Sequence, residues 1–177
     1  FLGIQNKESA LIMSQSIRVL ANMLKENVSE FKKNYIDNGS FQQLITHLDS
    51  LIFDSSFDIK SDAGYLLSLL ICAFPRYLIN NVLGEFTPYN EMRDIRSTMI
   101  AIFDLELPVL SIKLLYGLES IFLYASKKKI VDQFILKINE FEILDRINDL
   151  TDNENLDVAK TAIIVLNEIS GNVKIMQ

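Results

Sequence analysis

The chain has 177 residues, of which 49% are hydrophobic, and a formal net charge of −6 at pH 7. This apolar content is enough for a sizeable core and argues against an intrinsically disordered chain. The acidic balance disfavours DNA or RNA as the main partner, because phosphate binding needs a basic face.

Apolar residues recur at helical spacing along the whole chain. The first predicted long helix carries an apolar stripe from Leu11 to Leu24. A short helix over 30–37 follows and ends at Asn38-Gly39, because glycine tolerates a left-handed backbone. A middle helix over 41–51 begins after Ser40, a typical N-cap residue. The polar stretch 54–58 then leads into a second long helix.

The order of short, middle and long helix returns twice more. Short helices are predicted over 76–83, where Pro75 begins the helix and Gly84 ends it, and over 130–138. Middle helices are predicted over 89–103, including Met92, and over 141–150. Long helices are predicted from Pro108, whose missing N–H is tolerated in a first turn, and over 156–170 after the loop 151–155.

The long helices share one pattern, in which the core residues Leu20, Leu67, Leu118 and Leu166 are each followed three positions later by another apolar residue. The intervals between these leucines are 47, 51 and 48 residues. A period of about 40–47 residues is typical of HEAT and armadillo units. The pattern predicts an all-α fold, a right-handed α-solenoid of about four armadillo-type repeats in a single domain, 1–177.

The predicted units are roughly 1–26, 27–74, 75–126 and 127–177, with the long helices on the concave side and the four leucines pointing into a continuous core. Because the chain begins with Phe1 rather than Met, we expect it to be a fragment of a longer protein.

Three segments are informative about the family: YIDNGSFQQLITHL (35–48), DIKSDAGYLLSL (58–69) and FEILDRINDLTDNENL (141–156). They resemble the C-terminal repeats of importin-α, the nuclear-import adaptor family. The resemblance implies binding of an extended basic peptide by Trp and Asn side chains four residues apart on each third helix. Indoles sandwich the stems of Lys and Arg, and the Asn amides hold the peptide backbone.

This chain departs from the importin-α pattern at most of those positions. The Trp-equivalent positions are Arg18, Tyr65, Tyr116 and Ile164. The Asn-equivalent positions are Asn22, Leu69, Ser120 and Glu168. Only Asn22 keeps the residue of the family, and Arg18 would repel a cationic peptide.

The candidate peptide-binding residues on the concave face are Asn22, Asp62, Tyr65, Tyr116 and Ser120. Tyr65 and Tyr116 offer aromatic faces to a cation, and Asp62 falls where the family often has an acidic residue. The alternative is that both tyrosines are packed edge residues of the solenoid and that Asn22 is a solvated or capping amide.

No residues predict catalysis, a metal site or a cofactor. His47 is the one histidine, and no His/Cys pair has metal-ligand spacing. Cys72 is expected to be a buried, inert thiol, and the cluster 127–129 of three lysines to lie at a solvated helix start or in a loop. The apolar run 66–74 is too short to cross a bilayer, so no membrane insertion is expected.

The predicted function is a non-enzymatic protein-interaction scaffold, similar to importin-α in protein transport, that binds an extended peptide or a partner helix. A basic peptide is one candidate. Two alternatives stay open: an armadillo-type nucleotide-exchange factor that clasps the ATPase domain of a heat-shock chaperone, and a regulatory or structural segment of a larger protein. A lone cysteine favours a cytoplasmic or nuclear location, with a lumenal one still open.

Overall fold

A computed structural model describes residues 2–83 and 94–174, with the side chains of residues 8–83 and 94–171. In these ranges the chain forms helices joined by short turns, and they contain no β-strand. The all-α prediction is therefore confirmed. Gly84, Met92 and the rest of 84–93 lie outside the described residues.

The described helices fall into long, middle and short ones. They are α1 (Leu2–Glu26), α2 (Val28–Phe31), α3 (Phe41–Asp54), α4 (Phe57–Ala73), α5 (Pro75–Leu83), α6 (Ile95–Phe103), α7 (Pro108–Lys128), α8 (Val131–Asn139), α9 (Ile143–Asp149) and α10 (Leu156–Lys174). A π-helical turn, Lys32–Ile36, extends α2, and a 3₁₀ turn, Leu150–Asp152, extends α9.

Several predicted helix ends are confirmed. Pro108 lies in the first turn of α7 and Pro75 begins α5. Gly39 has the left-handed backbone of a helix stop, with φ 81°. Ser40 precedes α3, but its side chain makes no capping bond. Instead, the side-chain oxygen of Asn38 accepts a hydrogen bond of 3.0 Å from the backbone N–H of Ser40.

Two middle helices begin later than predicted. Of the helix predicted over 89–103, residues 89–93 lie outside the described residues, and α6 begins at Ile95, because Asp94 is extended and its side chain accepts a hydrogen bond from the backbone N–H of Arg96. The helix predicted over 141–150 begins at Ile143, because Glu142 has a left-handed backbone with φ 56°. In both cases the apolar pattern of the sequence extends to either side of one residue with non-helical backbone, and the helix starts only after that residue.

The lysine cluster lies at the end of a helix, so its predicted place at a helix start or in a loop is wrong. Lys127 and Lys128 form the last turn of α7, and Lys129 is its left-handed C-cap. Cations are favourable there, because the carbonyl end of a helix carries a partial negative charge.

The long helices lie side by side in chain order. Helix α1 packs on α4, α4 on α7, and α7 on α10. Each middle helix, α3, α6 or α9, packs on the long helix that follows it, and α6 contacts both α3 and α9. A hydrophobic core of buried residues from all of these helices lies between the long and middle helices.

The leucines predicted in the core behave in two ways. Leu67 and Leu118 are buried. Leu20 and Leu166 are half-buried and pack against the core. Their helices, α1 and α10, each have only one neighbouring long helix among the described elements, whereas α4 and α7 have two.

A buried arginine ties the beginning of α6 to the connection between α8 and α9. The guanidinium of Arg96 donates to Asp94, to the Glu140 carboxylate at 3.0 Å and to the Lys137 carbonyl oxygen at 3.1 Å. It also lies 4.3 Å from the ring centroid of Phe141. The hydrogen bonds compensate for burying the charge, as a buried arginine requires.

By length and composition alone, α7 is apolar enough to cross a membrane, as is the pair α4 and α5 if taken as one span bent by 106°. Half of the most apolar part of α7 is buried inside the protein. The core helix of a soluble protein passes the same test, so the prediction of no membrane insertion stays a prediction.

Candidate functional site

The candidate site lies on the partly exposed side of the long helices. We call this surface the long-helix face and define it by the positions equivalent across the helices. These positions are Arg18, Asn22, Asp62, Tyr65, Leu69, Tyr116, Ser120, Ile164 and Glu168. Each is exposed or half-buried. Because α1, α4, α7 and α10 are neighbours in that order, equivalent positions follow one another across the face.

In the α1–α4 half of the face, Asp62 is already neutralised by the protein itself. Its carboxylate accepts a hydrogen bond from the Ser14 hydroxyl and forms an ion pair of 2.9 Å with the Arg18 guanidinium. The hydrogen bond and the charge of Asp62 raise the pKa of Arg18. The Asp62 side chain is only 15% exposed, so an incoming cation would have to compete with Arg18 for it.

The aromatic face of Tyr65 also has a cation of the protein beside it. The Lys25 ammonium lies 5.7 Å from the centroid of the Tyr65 ring, within the range of a cation–π contact. Lys25 therefore stands where the cationic side chain of a bound peptide would stack. Asn22 is exposed and lies about one helical turn before Lys25, on the same side of α1.

Tyr116 is the most accessible aromatic residue among the candidates. It is 44% exposed. The hydroxyl of Ser120 donates a hydrogen bond of 2.9 Å to the Tyr116 carbonyl oxygen one turn earlier, which orients that hydroxyl along α7. The lone pairs of the Ser120 oxygen stay available as acceptors.

Glu119, three residues after Tyr116 on α7, and Glu168 of α10 form a pair of carboxyl groups that joins the two helices. Burial raises the pKa of Glu119, and the charge of Glu168 and a hydrogen bond between the two side chains raise it further. A pair of this kind holds a proton more readily than an isolated carboxyl, since two adjacent negative charges repel each other. A cation near the pair would relieve that repulsion.

The structure brings the five candidate residues together in two groups. Asn22, Asp62 and Tyr65 belong to the α1–α4 half, where Arg18 and Lys25 connect the two helices. Tyr116 and Ser120 belong to α7. Between the halves, the Cys72 thiol of α4 lies 3.4 Å from the Lys113 carbonyl oxygen of α7.

Three residues that sequence reasoning left out contribute to this face: Ser14, Lys25 and Glu119. Lys25 lies three residues after Asn22, and Glu119 lies three residues after Tyr116. That spacing puts them on the same side of their helices, so helical periodicity could have found them.

The described residues contain no group of three or more His, Cys, Asp or Glu side chains suited to a metal ion. His47 is exposed on α3. Burial raises the pKa of the Cys72 thiol to about 11, so it is protonated at neutral pH and a poor nucleophile.

A cavity of about 350 Å³ lies away from the long-helix face, between the α6–α7 connection and the region of α9 and α10. Its lining includes Glu106, Glu154 and Arg146, and Arg146 forms an ion pair of 2.8 Å with Asp104. None of the five candidate residues lines it.

No protein-family model, no curated protein and no solved structure matches this chain. The resemblance to importin-α therefore rests on the residues quoted from the sequence.

Proposed function

We propose that the chain is a non-enzymatic protein-interaction scaffold, built as a right-handed solenoid of armadillo-type units, that binds an extended peptide on the long-helix face. The observation that carries the proposal is the side-by-side packing of α1, α4, α7 and α10 with equivalent positions left partly exposed. A surface of this kind places the equivalent positions of successive helices in line along the path of an extended peptide.

The two halves of the face differ in how they would receive a cationic side chain. In the α1–α4 half, Arg18 and Lys25 already occupy Asp62 and Tyr65. In the α7–α10 half, Tyr116 presents an exposed ring, and Glu119, three residues later on α7, pairs with Glu168 of α10. We therefore propose that a Lys- or Arg-containing peptide is held mainly between α7 and α10.

The test is the binding of fluorescently labelled Lys/Arg-rich peptides, measured by anisotropy. The Tyr116→Ala variant should bind with a free energy weaker by roughly 1–2 kcal/mol, the usual contribution of an aromatic anchor or a cation–π contact. A matched control is Leu136→Ala, which removes a 62% exposed side chain from α8, outside the long helices. It should leave peptide affinity unchanged.

The charges predict two further results of the same experiment. Affinity should fall with added salt, because exposed charge pairs are screened within about 8 Å at physiological ionic strength. Arg18→Ala should strengthen binding, because it removes a like charge and releases Asp62. The proposal would be overturned if peptide affinity changed neither with added salt nor in the Tyr116→Ala variant. Binding to a chaperone ATPase domain instead would favour the exchange-factor alternative.

A further inference from the structure

The cavity between the α6–α7 connection and the region of α9 and α10 has a buried floor. Its volume of about 350 Å³ is in the range of small-ligand sites. The buried apolar residues of its lining are Phe103, Leu150 and Val158. These side chains favour an apolar group of a ligand, because contact with them removes its surface from water. The cavity lies away from the long-helix face, so its ligand does not depend on the function proposed for that face.

One hydroxyl on this floor has no hydrogen-bond partner among the described residues. Ser111 of α7 lines the cavity and is 3% exposed. Its backbone N–H donates to the Leu107 carbonyl oxygen at 3.0 Å, but its hydroxyl makes no bond to a described residue. The buried hydroxyls of Ser68 and Thr161 instead donate to carbonyl oxygens one turn earlier, at 2.8 and 2.7 Å. Since an unpaired buried hydroxyl costs stability, that of Ser111 is suited to pair with a polar group of a ligand.

The mouth of the cavity carries carboxylates that the protein leaves unpaired. Glu106, Asp149 and Glu154 are exposed lining residues, and none of them forms an ion pair with a described residue. Among the described lining residues Arg146 alone is basic, and its guanidinium pairs at 2.8 Å with Asp104, outside the lining. The Nε atom of Arg146 is buried, so it offers no donor to a ligand. The mouth therefore has an excess of negative charge.

The place of Asp149 indicates that the missing partner is a cation. Asp149 is the last residue of α9, where the carbonyl groups of the helix already carry a partial negative charge. Glu106 and Glu154 precede the first turns of α7 and α10, where a carboxylate is favourable by itself, but Asp149 has no such compensation. No group of these side chains is suited to a metal ion among the described residues. An ammonium group needs no close convergence of ligands, because its three donors can bond to separate oxygens.

From these observations we infer that the cavity is a binding site for a compact amphipathic amine. The apolar body of the amine lies on the floor, and its ammonium group pairs with the carboxylates at the mouth. A polar substituent at its far end bonds to the Ser111 hydroxyl. Two sources offer this chemistry: a free aromatic amine, and the N-terminal residue of a polypeptide that begins with an aromatic side chain.

The test uses phenethylammonium, tyramine, which adds a phenol hydroxyl, and the neutral phenethyl alcohol as probes. In heteronuclear NMR titrations, both amines should shift the backbone signals of residues 106–111 and 149–154 saturably. Phenethyl alcohol should bind at least about fivefold more weakly, because it has no charge to pair with the carboxylates. The tripeptide Phe-Gly-Gly amide distinguishes the sources. If it binds as tightly as phenethylammonium, and its acetylated form does not, the ligand is a polypeptide terminus, whereas binding of the amines alone indicates a small molecule.

Variants of the carboxylates locate the ammonium group. The triple variant Glu106→Gln/Asp149→Asn/Glu154→Gln should weaken phenethylammonium binding by at least about fivefold, because it removes three charges at nearly constant side-chain size. The matched control removes three charges at exposed positions outside the lining: Glu26→Gln/Asp58→Asn/Asp132→Asn. This control should change affinity by no more than about twofold.

The Ser111→Ala variant tests the hydroxyl on the floor. The wild-type protein should bind tyramine about threefold or more tightly than phenethylammonium, since one hydrogen bond is added. In Ser111→Ala this preference should vanish, and the thermal midpoint of the free protein should rise, because an unpaired buried hydroxyl is removed. A purely structural role of Ser111 would not change the ratio of the two affinities.

Several outcomes would overturn the inference. They are the absence of saturable shifts with either amine, equal affinity for phenethylammonium and phenethyl alcohol, equal weakening by the two triple variants, and an unchanged tyramine preference in Ser111→Ala. Inorganic phosphate that shifts the same signals in place of the amines would also overturn it. The first turns of α7 and α10 would then serve as an anion site.

Discussion

Replacing Gly117 by alanine should destabilise the fold, even though alanine is the better helix former. A Cβ atom on Gly117 would lie 2.7 Å from Cγ2 and 3.1 Å from Cβ of Ile71, on the facing side of α4. Ile71 is fully buried, so its side chain has no open space into which to turn. The substitution must therefore separate α4 from α7 or force Ile71 out of its rotamer.

The expected magnitude follows from two opposing terms. Exchange of Gly for Ala inside a helix stabilises by about 1 kcal/mol. Overpacking of a core costs about 1–3 kcal/mol. Because the close contact includes the Cβ atom of Ile71, which moves only with the backbone, we expect the upper part of that range. The net loss in the free energy of unfolding should be about 1–2 kcal/mol.

Denaturant unfolding followed by circular dichroism measures this loss. The matched control is Gly171→Ala on α10, where nothing lies within 4 Å of the added Cβ. This control should stabilise by up to about 1 kcal/mol.

The Ile71→Ala variant should by itself cost about 2–5 kcal/mol. In that background Gly117→Ala should destabilise less, because the Cγ2 methyl at 2.7 Å is gone while the Cβ contact of 3.1 Å remains. Stabilisation of the wild type by Gly117→Ala, equal to that by Gly171→Ala, would refute the reasoning.

Three more substitutions test other parts of the structure. Leu118→Ala should lower the unfolding free energy by about 2–5 kcal/mol in denaturant titrations, because it leaves a cavity in the core. Arg96→Ala should cost about 2–3 kcal/mol by the same measurement, since it removes several charge-assisted hydrogen bonds, whereas Arg76→Ala at an exposed position should cost little. Glu119→Gln should raise the thermal midpoint near neutral pH. Because the pKa of Glu119 is raised in the fold, ionisation of this carboxyl destabilises the folded state. The wild-type protein therefore loses stability as the pH rises from the ordinary pKa range of glutamate through the raised pKa. The gain should vanish below pH ~4, where the wild-type carboxyl is protonated.

The helices and their order could be predicted from the sequence because both depend on local spacing. An apolar side at helical period and the prolines at 75 and 108 mark most elements to within a few residues. The errors at Asp94 and Glu142 have a common cause. One residue with non-helical backbone immediately precedes the helix there, so the helix starts after it, while the apolar pattern of the sequence is present on both sides of it.

The contacts of the candidate site were harder to predict because they join different helices. Repeat spacing identifies equivalent positions but not the lateral offset between neighbouring helices. Arg18 is equivalent to Tyr65, yet its charge reaches Asp62, three residues before that tyrosine. Lys25 likewise reaches Tyr65 from α1. Only the packed structure fixes which side chains of α1 and α4 meet.

This offset changes how the long-helix face should be understood. With Arg18 and Lys25 in contact with Asp62 and Tyr65, the α1–α4 half supplies its own cations and holds two helices together. In the α7–α10 half, Tyr116 is exposed, and Glu119, three residues later on α7, pairs with Glu168 of α10 and has a raised pKa. If the proposed peptide binding holds, equivalent positions of the long helices contribute stability in the α1–α4 half and ligand attraction in the α7–α10 half. For this reason the effects of Arg18→Ala and Tyr116→Ala on peptide affinity should have opposite signs.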